Sequence, residues 1–393
     1  MHIAHFKSSI WHQGGVSSYI KRTAIAQQEA GHTVTLFDPT VCDTDTEEGL
    51  AVVGRLSSAD VIHRAQQRKV DILNIHESLE NAPSSRVPVV YTLHNHDAYC
   101  PSGSQHLKTR DRPCHRVAGA GCVVGHLKDH CGSLRPANAL RNIRKHLRHK
   151  RLVSRIPVIT VSAFQKEQLI RAGYAPDHIF VVRSPVPCVE TAYTPPPPDG
   201  VPRLLFMGRV VPEKGLKWLL KSFRLIGVPA HLDVAGDGYA LEEMKRLTNT
   251  LAIQDRVTFH GWVAQDRLQQ LIRQSRAVVV PSTWHEPAGL VSLEAAAHGR
   301  PVIASRSGGI PEYVDASWGA LVAPGDIQAL AGQLTTFASD YERARSAGRI
   351  AFEAVHAGRT VPQFLSDLDE VYEQIITASG RKNINTADTY LNN

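Results

Sequence analysis

VVVPSTWHEPAGLVSLEAAAHGRPVIASRSGGIPEYVD, running from Val278 to Asp315, decides how this chain folds. Ala277 to Val280 is apolar, mostly β-branched and too short for a helix of its own, which predicts a buried strand ended by Pro281. A polar loop follows, Ser282 to Gly289. Leu290 to His298 reads as a helix, closed by Gly299 with Pro301 just beyond it. Pro301 to Ala304 is the next buried strand. Ser307-Gly308-Gly309 makes a tight turn, and Ile310-Pro311-Glu312 opens another helix. Strand, loop and helix in repeated series predict a parallel α/β sheet, whose ligands bind where the strands run out into loops.

Two carboxylates stand at that edge, Glu286 in the loop and Glu294 about two turns into the helix. The first amides of a helix are unpaired and its dipole is positive there, so the helix start attracts anions. Gly289 lets a ligand approach the backbone closely, with Leu290 and Val291 next to it. The arrangement suits a nucleotide-sugar, with phosphates near the helix start, sugar hydroxyls on Glu286 and ribose hydroxyls on Glu294. The plain alternative is a solvated loop acid and a surface helix acid.

These residues resemble the donor-site signature of the GT-B retaining glycosyltransferases of family 4, also called glycosyl transferases group 1. Members carry two glutamates with seven residues between them, then small residues, a glycine, an apolar strand and a Gly-Gly-Pro-Glu-like turn. The counterparts here are Glu286, Glu294, Ala295 to Gly299, Pro301 to Ala304 and Gly308 to Glu312. The family usually has Phe before the glycine, where this chain has Ala288; backbone contacts survive the change and an aromatic wall is lost. The resemblance takes in about residues 2 to 378. It implies an α/β chain of GT-B type: two facing Rossmann-like, doubly wound domains with an interdomain cleft.

From the start, His2 to Phe6 is a strand, Lys7 to Gly15 a polar loop ending in Gly14-Gly15, Val16 to Ala30 a helix and Thr33 to Phe37 a strand. Strand, Gly-rich loop, helix is a layout that cradles phosphate, and equally one that makes a tight turn. In the resembled family this loop lies close to the donor phosphates and the acceptor. A strand near Val52 and a helix from Ser57 to Arg68, capped within Ser57-Ser58-Ala59-Asp60, come next. Ile72 to Ile75 runs into His76-Glu77-Ser78, and Pro88 to Leu93 into His94-Asn95-His96-Asp97. The resemblance implies that a strand-end histidine contacts the donor sugar. His94 matches best, with His96 as rival; a histidine merely hydrogen-bonded at a strand end is the other reading. Residues 98 to 133 form a long loop, read as the acceptor side and a membrane-facing lid.

TAYTPPPPDGVP, Thr191 to Pro202, is too proline-rich for any helix or sheet interior and reads as a stiff linker. Arg203 to Met207 opens the second domain as a strand, followed by Gly208-Arg209 and Glu213-Lys214-Gly215. Arg can grip phosphate oxygens as a fork and Lys acts as a point charge. The resemblance implies that Arg209 and Lys214 hold the donor diphosphate, so that no metal or other cofactor is expected. Two exposed surface cations are the alternative. The expected divisions are 1–190, an acceptor-side domain; 191–202, the linker; 203–360, the nucleotide-sugar domain; 361–378, a helix crossing back to the first domain; and 379–393, a loose tail.

Composition sets the remaining bounds. The chain has 393 residues, 42% hydrophobic and 21% charged, which is globular and long enough for two domains. No apolar run approaches a membrane span, and MHIAHFKSSIW lacks the layout of a signal peptide, so a cytoplasmic protein is expected. The net charge of +7 is concentrated between residues 134 and 156, with Arg135, Arg141, Arg144, Lys145, Arg148, Lys150, Arg151 and Arg155 and no acid. Leu140, Ile143 and Leu147 share the neighbouring helical face. Such a helix suits an anionic membrane surface, giving a peripheral position on its inner face; a solvated helix packed on its own domain is the rival. No aromatic stacking set accompanies the charge, so nucleic acid is not expected. Cys100, Cys114, Cys122 and Cys131 cluster among histidines without a CxxC pair, leaving packed thiols or a metal clip open; Cys42 and Cys188 stand apart.

The combined expectation is transfer of a hexosyl group from a nucleotide-sugar to an acceptor hydroxyl, on a glycan or lipid-linked glycan, with retention, in polysaccharide or glycolipid assembly. Expected catalytic residues are His94, Arg209, Lys214 and Glu286. Expected donor contacts are Gly14, Gly15, Arg209, Lys214, Glu286, Gly289, Leu290, Val291 and Glu294. The alternatives are a nucleotide-sugar epimerase on the same fold and a non-catalytic nucleotide-sugar or lipid-binding protein.

Overall fold

The computed structural model describes residues 1–12, 14–41, 44–47, 49–57, 59–79, 87–119, 121–133, 135–186 and 192–390. Ser58 of the expected cap, Cys42, Cys188, Leu134, Pro187 and Thr191 at the head of the expected linker lie outside them. The chain divides into two compact units. The first comprises Met1–Gly103, Arg141–Arg183 and Val361–Asn393, and the second Ser104–Leu140 and Ser184–Thr360. Residues 104–140, assigned with the first domain from sequence, therefore group with the second.

In chain order the elements begin with β1 (His2–Phe6), α1 (Gly15–Glu29), β2 (Thr33–Phe37), β3 (Thr44–Glu47), β4 (Leu50–Val53), α2 (Val61–Gln67), β5 (Ile72–Ile75) and β6 (Val89–Leu93). The short strands β7 (His106–Leu107) and β8 (Arg112–Pro113), α3 (Gly121–Lys128), α4 (Pro136–Val153), β9 (Val158–Thr160), α5 (Ala163–Arg171) and β10 (Ile179–Val181) follow. The first unit's sheet has eight strands in the order β10-β9-β6-β5-β1-β2-β4-β3. All its pairings are parallel except β3 with β4. Buried Ile3, Leu36, Ile72 and Val90 point to one face of it and Ala4, Phe37, Leu73 and Tyr91 to the other, as a sheet covered on both sides requires.

The expected helix from Ser57 begins later, at Val61. Ser57 does not cap it; its backbone amide and hydroxyl bond the Asp60 carboxylate instead, at 3.3 and 2.6 Å, closing a turn that delays the helix. Ser162 does cap α5, accepting from the Gln165 amide.

The second unit continues with β11 (Arg203–Met207), α6 (Leu216–Phe223), β12 (His231–Ala235), α7 (Leu241–Thr250), β13 (Val257–Gly261), α8 (Gln265–Gln274), β14 (Ala277–Val280), α9 (Leu290–Ala297), β15 (Val302–Ser305), β16 (Gly319–Val322), α10 (Ile327–Ser339) and α11 (Tyr341–Gly358). Its six strands are all parallel and lie in the order β13-β12-β11-β14-β15-β16. That is the Rossmann order 3-2-1-4-5-6, with the reversal between β11 and β14. The helix expected to open at Ile310 is a single 3-10 turn, Ile310–Glu312.

The last helix, α12 (Val361–Tyr390), belongs to the first unit. It buries Phe364, Leu365, Leu368, Val371, Tyr372 and Ile375 there, and the Tyr372 hydroxyl accepts from Asn74 Nδ2 at 2.8 Å. The helix runs to Tyr390, where a loose tail from 379 was expected; no proline or glycine after Gly380 interrupts it.

Candidate active site

In the second unit the site grows from the reversal between β11 and β14. Strands on either side send their loops in opposite directions there, and the crevice left at their carboxyl ends is where such sheets bind ligands. The loop after β11 carries Arg209 and Lys214, and the loop after β14 carries Glu286.

Three close backbone approaches set the shape of these loops. Gly215 has φ +72°, and a Cβ on it would lie 1.7 Å from the Pro281 carbonyl oxygen. The Thr283 amide donates to the Glu213 carbonyl at 2.9 Å. The loops after β11 and β14 are thus clamped to each other. A Cβ on Gly308 would lie 2.3 Å from the Glu286 carbonyl oxygen, and Gly309 donates to that same oxygen at 2.7 Å. The glycine turn after β15 therefore mounts the backbone of Glu286.

Lys214 Nζ donates to Glu286 Oε1 at 2.6 Å, and Ser282 Oγ donates to the same oxygen at 2.5 Å. The Lys214 ammonium also lies 5.3 Å from the centre of the Trp284 ring. Burial opposes the charge on Glu286, but Lys214, with hydrogen bonds from Lys214, Ser282 and Trp284, outweighs it and holds the carboxyl below the ordinary glutamate value. Glu286 is buried and ionised, a fixed acceptor beside a fixed cation.

The other expected donor contacts have partners of their own. Arg209 is exposed and lies 4.0 Å from Glu213. Glu294, in the middle of α9, accepts from Gln265 Nε2 at 3.2 Å. Gly289 precedes α9, and a Cβ there would come within 2.9 Å of the Tyr313 side chain; Leu290 and Val291 form the first turn. Among these residues the structure brings Lys214 and Glu286 into contact. Ser282 completes that contact and carried no sequence signal beyond its place at the strand end.

Part of residues 104–140 covers the β14 loop within the same unit. Thr283 Oγ1 donates to Asp111 Oδ1 at 2.9 Å and lies 3.3 Å from His106 Nε2. His115 packs edge-on against His285 with ring centres 4.8 Å apart. Cys100, Cys114, Cys122 and Cys131 are each half-buried, and Cys131 Sγ lies 3.8 Å from His126 Nδ1. Among the described residues no group of three or more His, Cys, Asp or Glu side chains could hold a metal ion.

In the first unit, taken by itself, the order reverses between β1 and β5, and a cavity of about 560 Å³ opens there. Lys7, Glu77, Ser78, His94, Asn95 and Lys145 contribute to its lining. His94 follows β6, with the Tyr19 ring edge-on at 4.8 Å. Burial, then Lys7 and His5, push its pKa down to about 3, so the ring is neutral. His96 is fully buried and bonds the Tyr99 hydroxyl at 2.6 Å, which makes it a structural histidine. Gly14 precedes α1 at φ +155°, a conformation reserved for glycine, while Gly15 begins the helix; a Cβ on either meets no atom within 4 Å. The buried His5, which bonds His76, escaped the sequence reading; a second histidine, after His2, within the short strand β1 was the available signal.

Two doubly wound Rossmann-like units, the first parallel but for β3 and the second parallel throughout with an ion pair at its reversal point, define a chain of the GT-B class. Comparison with known families gives the narrower assignment. The family model described as glycosyl transferases group 1 matches residues 194–354, and that described as glycosyltransferase family 4 matches residues 13–190. The chain belongs to this family of glycosyltransferases.

An uncharacterized glycosyltransferase of Bacillus subtilis, YqgM, is 31% identical over 56% of this chain and 62% of its own length. A GDP-mannose-dependent phosphatidylinositol monomannoside mannosyltransferase of Mycobacterium tuberculosis is 34% identical over 40% of this chain and 43% of its own. The chain thus spans less than two thirds of the length of these curated relatives. In fold it is similar to sucrose-phosphate synthase of Thermosynechococcus elongatus, with TM-score 0.71 and 20% identity over 96% of this chain and 99% of that one. Anabaena HepE in complex with UDP-glucose gives TM-score 0.69 and 18% identity over 95% and 100%.

Proposed function

We propose that the chain transfers a hexosyl group from a nucleotide-sugar to a hydroxyl of a glycan or lipid-linked glycan, with retention at the anomeric carbon. The observation that carries this reading is the 2.6 Å contact between Lys214 and Glu286 at the reversal point of the second sheet. A diphosphate arriving beside Lys214 competes for its ammonium, with Arg209 able to fork the same oxygens. Glu286, released from Lys214 but still held by Ser282, then turns its free acceptor capacity to sugar hydroxyls. The unpaired amides of the α9 start, at Leu290 and Val291, favour the phosphates, and Glu294 takes the ribose hydroxyls. The leaving diphosphate accepts the acceptor's proton on the face it departs from. Fixed charges placed before reaction supply the rate enhancement, and the two cations do the work a metal would otherwise do. Two relatives support the choice of donor: HepE was solved with UDP-glucose, and the mycobacterial relative is named for GDP-mannose.

The test is thermal shift against a panel of nucleotide-sugars. A donor of micromolar affinity at millimolar concentration stabilises by roughly 4 kcal/mol. Release of free nucleotide only when acceptor is added then marks transfer. No stabilisation by any of the panel would refute the donor reading.

The same proposal places α4 on an anionic membrane surface, peripherally and on its inner face. Support comes from the helix surface. Leu140 and Leu147 are exposed, 49% and 58%, beside exposed Arg141, Arg144, Arg148 and Arg151, while the helix packs through His146, His149, Leu152 and Val153. The leucines are therefore not what anchors α4 to the protein. No helix among the described residues is long and apolar enough to cross a membrane. Sedimentation with phosphatidylglycerol vesicles but not phosphatidylcholine vesicles, lost in the double variant Arg144→Glu/Arg148→Glu, is expected; equal sedimentation with both refutes it.

A further inference from the structure

Behind His94 lies a row of buried rings that the transfer reaction leaves unused. Gln27 Oε1 sits 2.7 Å from His5 Nε2, His5 Nδ1 is 3.0 Å from His76 Nε2, and His76 Nδ1 is 2.8 Å from His94 Nε2. His5 and His76 stack with centres 5.2 Å apart, and His76 and His94 with centres 5.1 Å apart. His5 and Gln27 are fully buried and His76 nearly so. The row starts on α1, passes the ends of β1 and β5, and finishes after β6 at the cavity. Among the described residues, the remaining nitrogen of His94, Nδ1, bonds no protein atom.

The row has a polarity. With Gln27 Oε1 turned toward His5, an amide oxygen only accepts, so this orientation puts the His5 proton on Nε2. A neutral imidazole has one proton, so His5 Nδ1 accepts, and His76 must donate to it from Nε2. By the same step His76 Nδ1 accepts from His94 Nε2–H. Burial keeps all three rings neutral, lowering His5 to about 4, His94 to about 3 and His76 well below its ordinary value. Lys7 adds to the effect on His76 and His94, so no imidazolium breaks the sequence of donors.

We propose that Gln27, His5 and His76 are positioning residues that present His94 Nδ1 to the cavity as an unprotonated acceptor, so that the ligand group it takes is a hydroxyl and not an anion. The inference rests on the nucleotide-sugar reading for the identity of that hydroxyl, but the ring polarity stands on the first unit alone. An imidazole lone pair attracts a sugar O–H and repels a phosphate oxygen, whereas the reverse tautomer would do the opposite.

The experiment is long-range proton–nitrogen NMR on the full chain labelled with 15N-histidine at pH 7, with His94 assigned by comparison with His94→Gln. A neutral ring protonated at Nε2 and bare at Nδ1 is expected. Protonation at Nδ1, or an imidazolium, overturns the proposal. Gln27→Leu should leave His94 as a mixture. A single Nε2–H tautomer in Gln27→Leu would show that the row does not set it. If that variant does not fold, the tautomer of the unmodified chain decides. UDP-glucose, UDP-galactose or GDP-mannose, whichever stabilises the chain, should move the Nδ1 resonance, while UDP and inorganic phosphate leave it in place. A shift with phosphate alone overturns the hydroxyl preference. If none of the three sugars stabilises the chain, the donor reading falls, and the ring polarity still decides the relay.

Discussion

Lys214 and Glu286 hold each other at 2.6 Å from loops that leave neighbouring parallel strands, although 72 positions separate them in sequence. Neither loop could fix the pair alone. The close approach of Gly215 to Pro281 and the Thr283 bond to Glu213 hold the two loops in register, and so set the distance at which the charges meet.

Lys214→Ala and Glu286→Gln should each lower turnover by about two orders of magnitude or more, because each removes a fixed charge from where charge develops. Nucleotide release in the presence of acceptor measures it. Rates close to the unmodified chain in either variant would end the site assignment.

Gly215→Ala combines two penalties. Its φ of +72° disfavours a side chain, and the new Cβ would meet the Pro281 carbonyl at 1.7 Å. We expect a loss of about 3 kcal/mol or more in urea unfolding. Gly14→Ala is the control: φ is +155° but nothing lies within 4 Å, so only conformational strain of about 1–3 kcal/mol is expected.

Tyr372→Phe should cost about 1–3 kcal/mol, because Asn74 Nδ2 loses its acceptor in a buried site. Thr92 Oγ1 still donates to Asn74 Oδ1, so the asparagine is not free to turn toward water. Equilibrium unfolding at neutral pH reads this directly.

Stability should fall as pH drops below 6.5. His5 and His94 resist protonation in the folded chain down to about 4 and about 3, while the unfolded chain takes up protons at the ordinary histidine value of 6.5. The unfolded state therefore binds more protons in this window, and acid favours it by up to roughly 1.4 kcal/mol per pH unit for each such ring. Lys7 and His76 face His94, and neither supplies a negative charge to offset the loss. A unit-1 variant such as His5→Gln should flatten the slope of unfolding free energy between pH 6.5 and 4. An unchanged slope would show that the row does not govern it.

Much of the second unit was legible. Ala277 to Val280 and Arg203 to Met207 are apolar runs of strand length, and the structure places strands on both. The motif also pointed to Lys214 and Glu286, whose contact needed coordinates to see. Less was visible where partners lie far apart in sequence. Residues 104–140 group with the second unit, where Asp111 meets Thr283 across 172 positions of sequence, a pairing no local pattern encodes. The spacing of Leu140 and Leu147 marks one helical face, which is exposed; no local pattern shows that His146 and His149 turn inward. His5 was overlooked because a histidine within a mostly apolar strand reads as an exception until its ring partners are known.

The turn at Gly308 has a practical consequence for mutagenesis. Its close approach to the Glu286 backbone makes this remote glycine part of the scaffold under a carboxylate it never touches with a side chain. A genetic screen would score a substitution at Gly308 as an inactive enzyme and invite a search for a chemical role. The defect would instead be one of alignment, a displaced acid on an otherwise intact sheet.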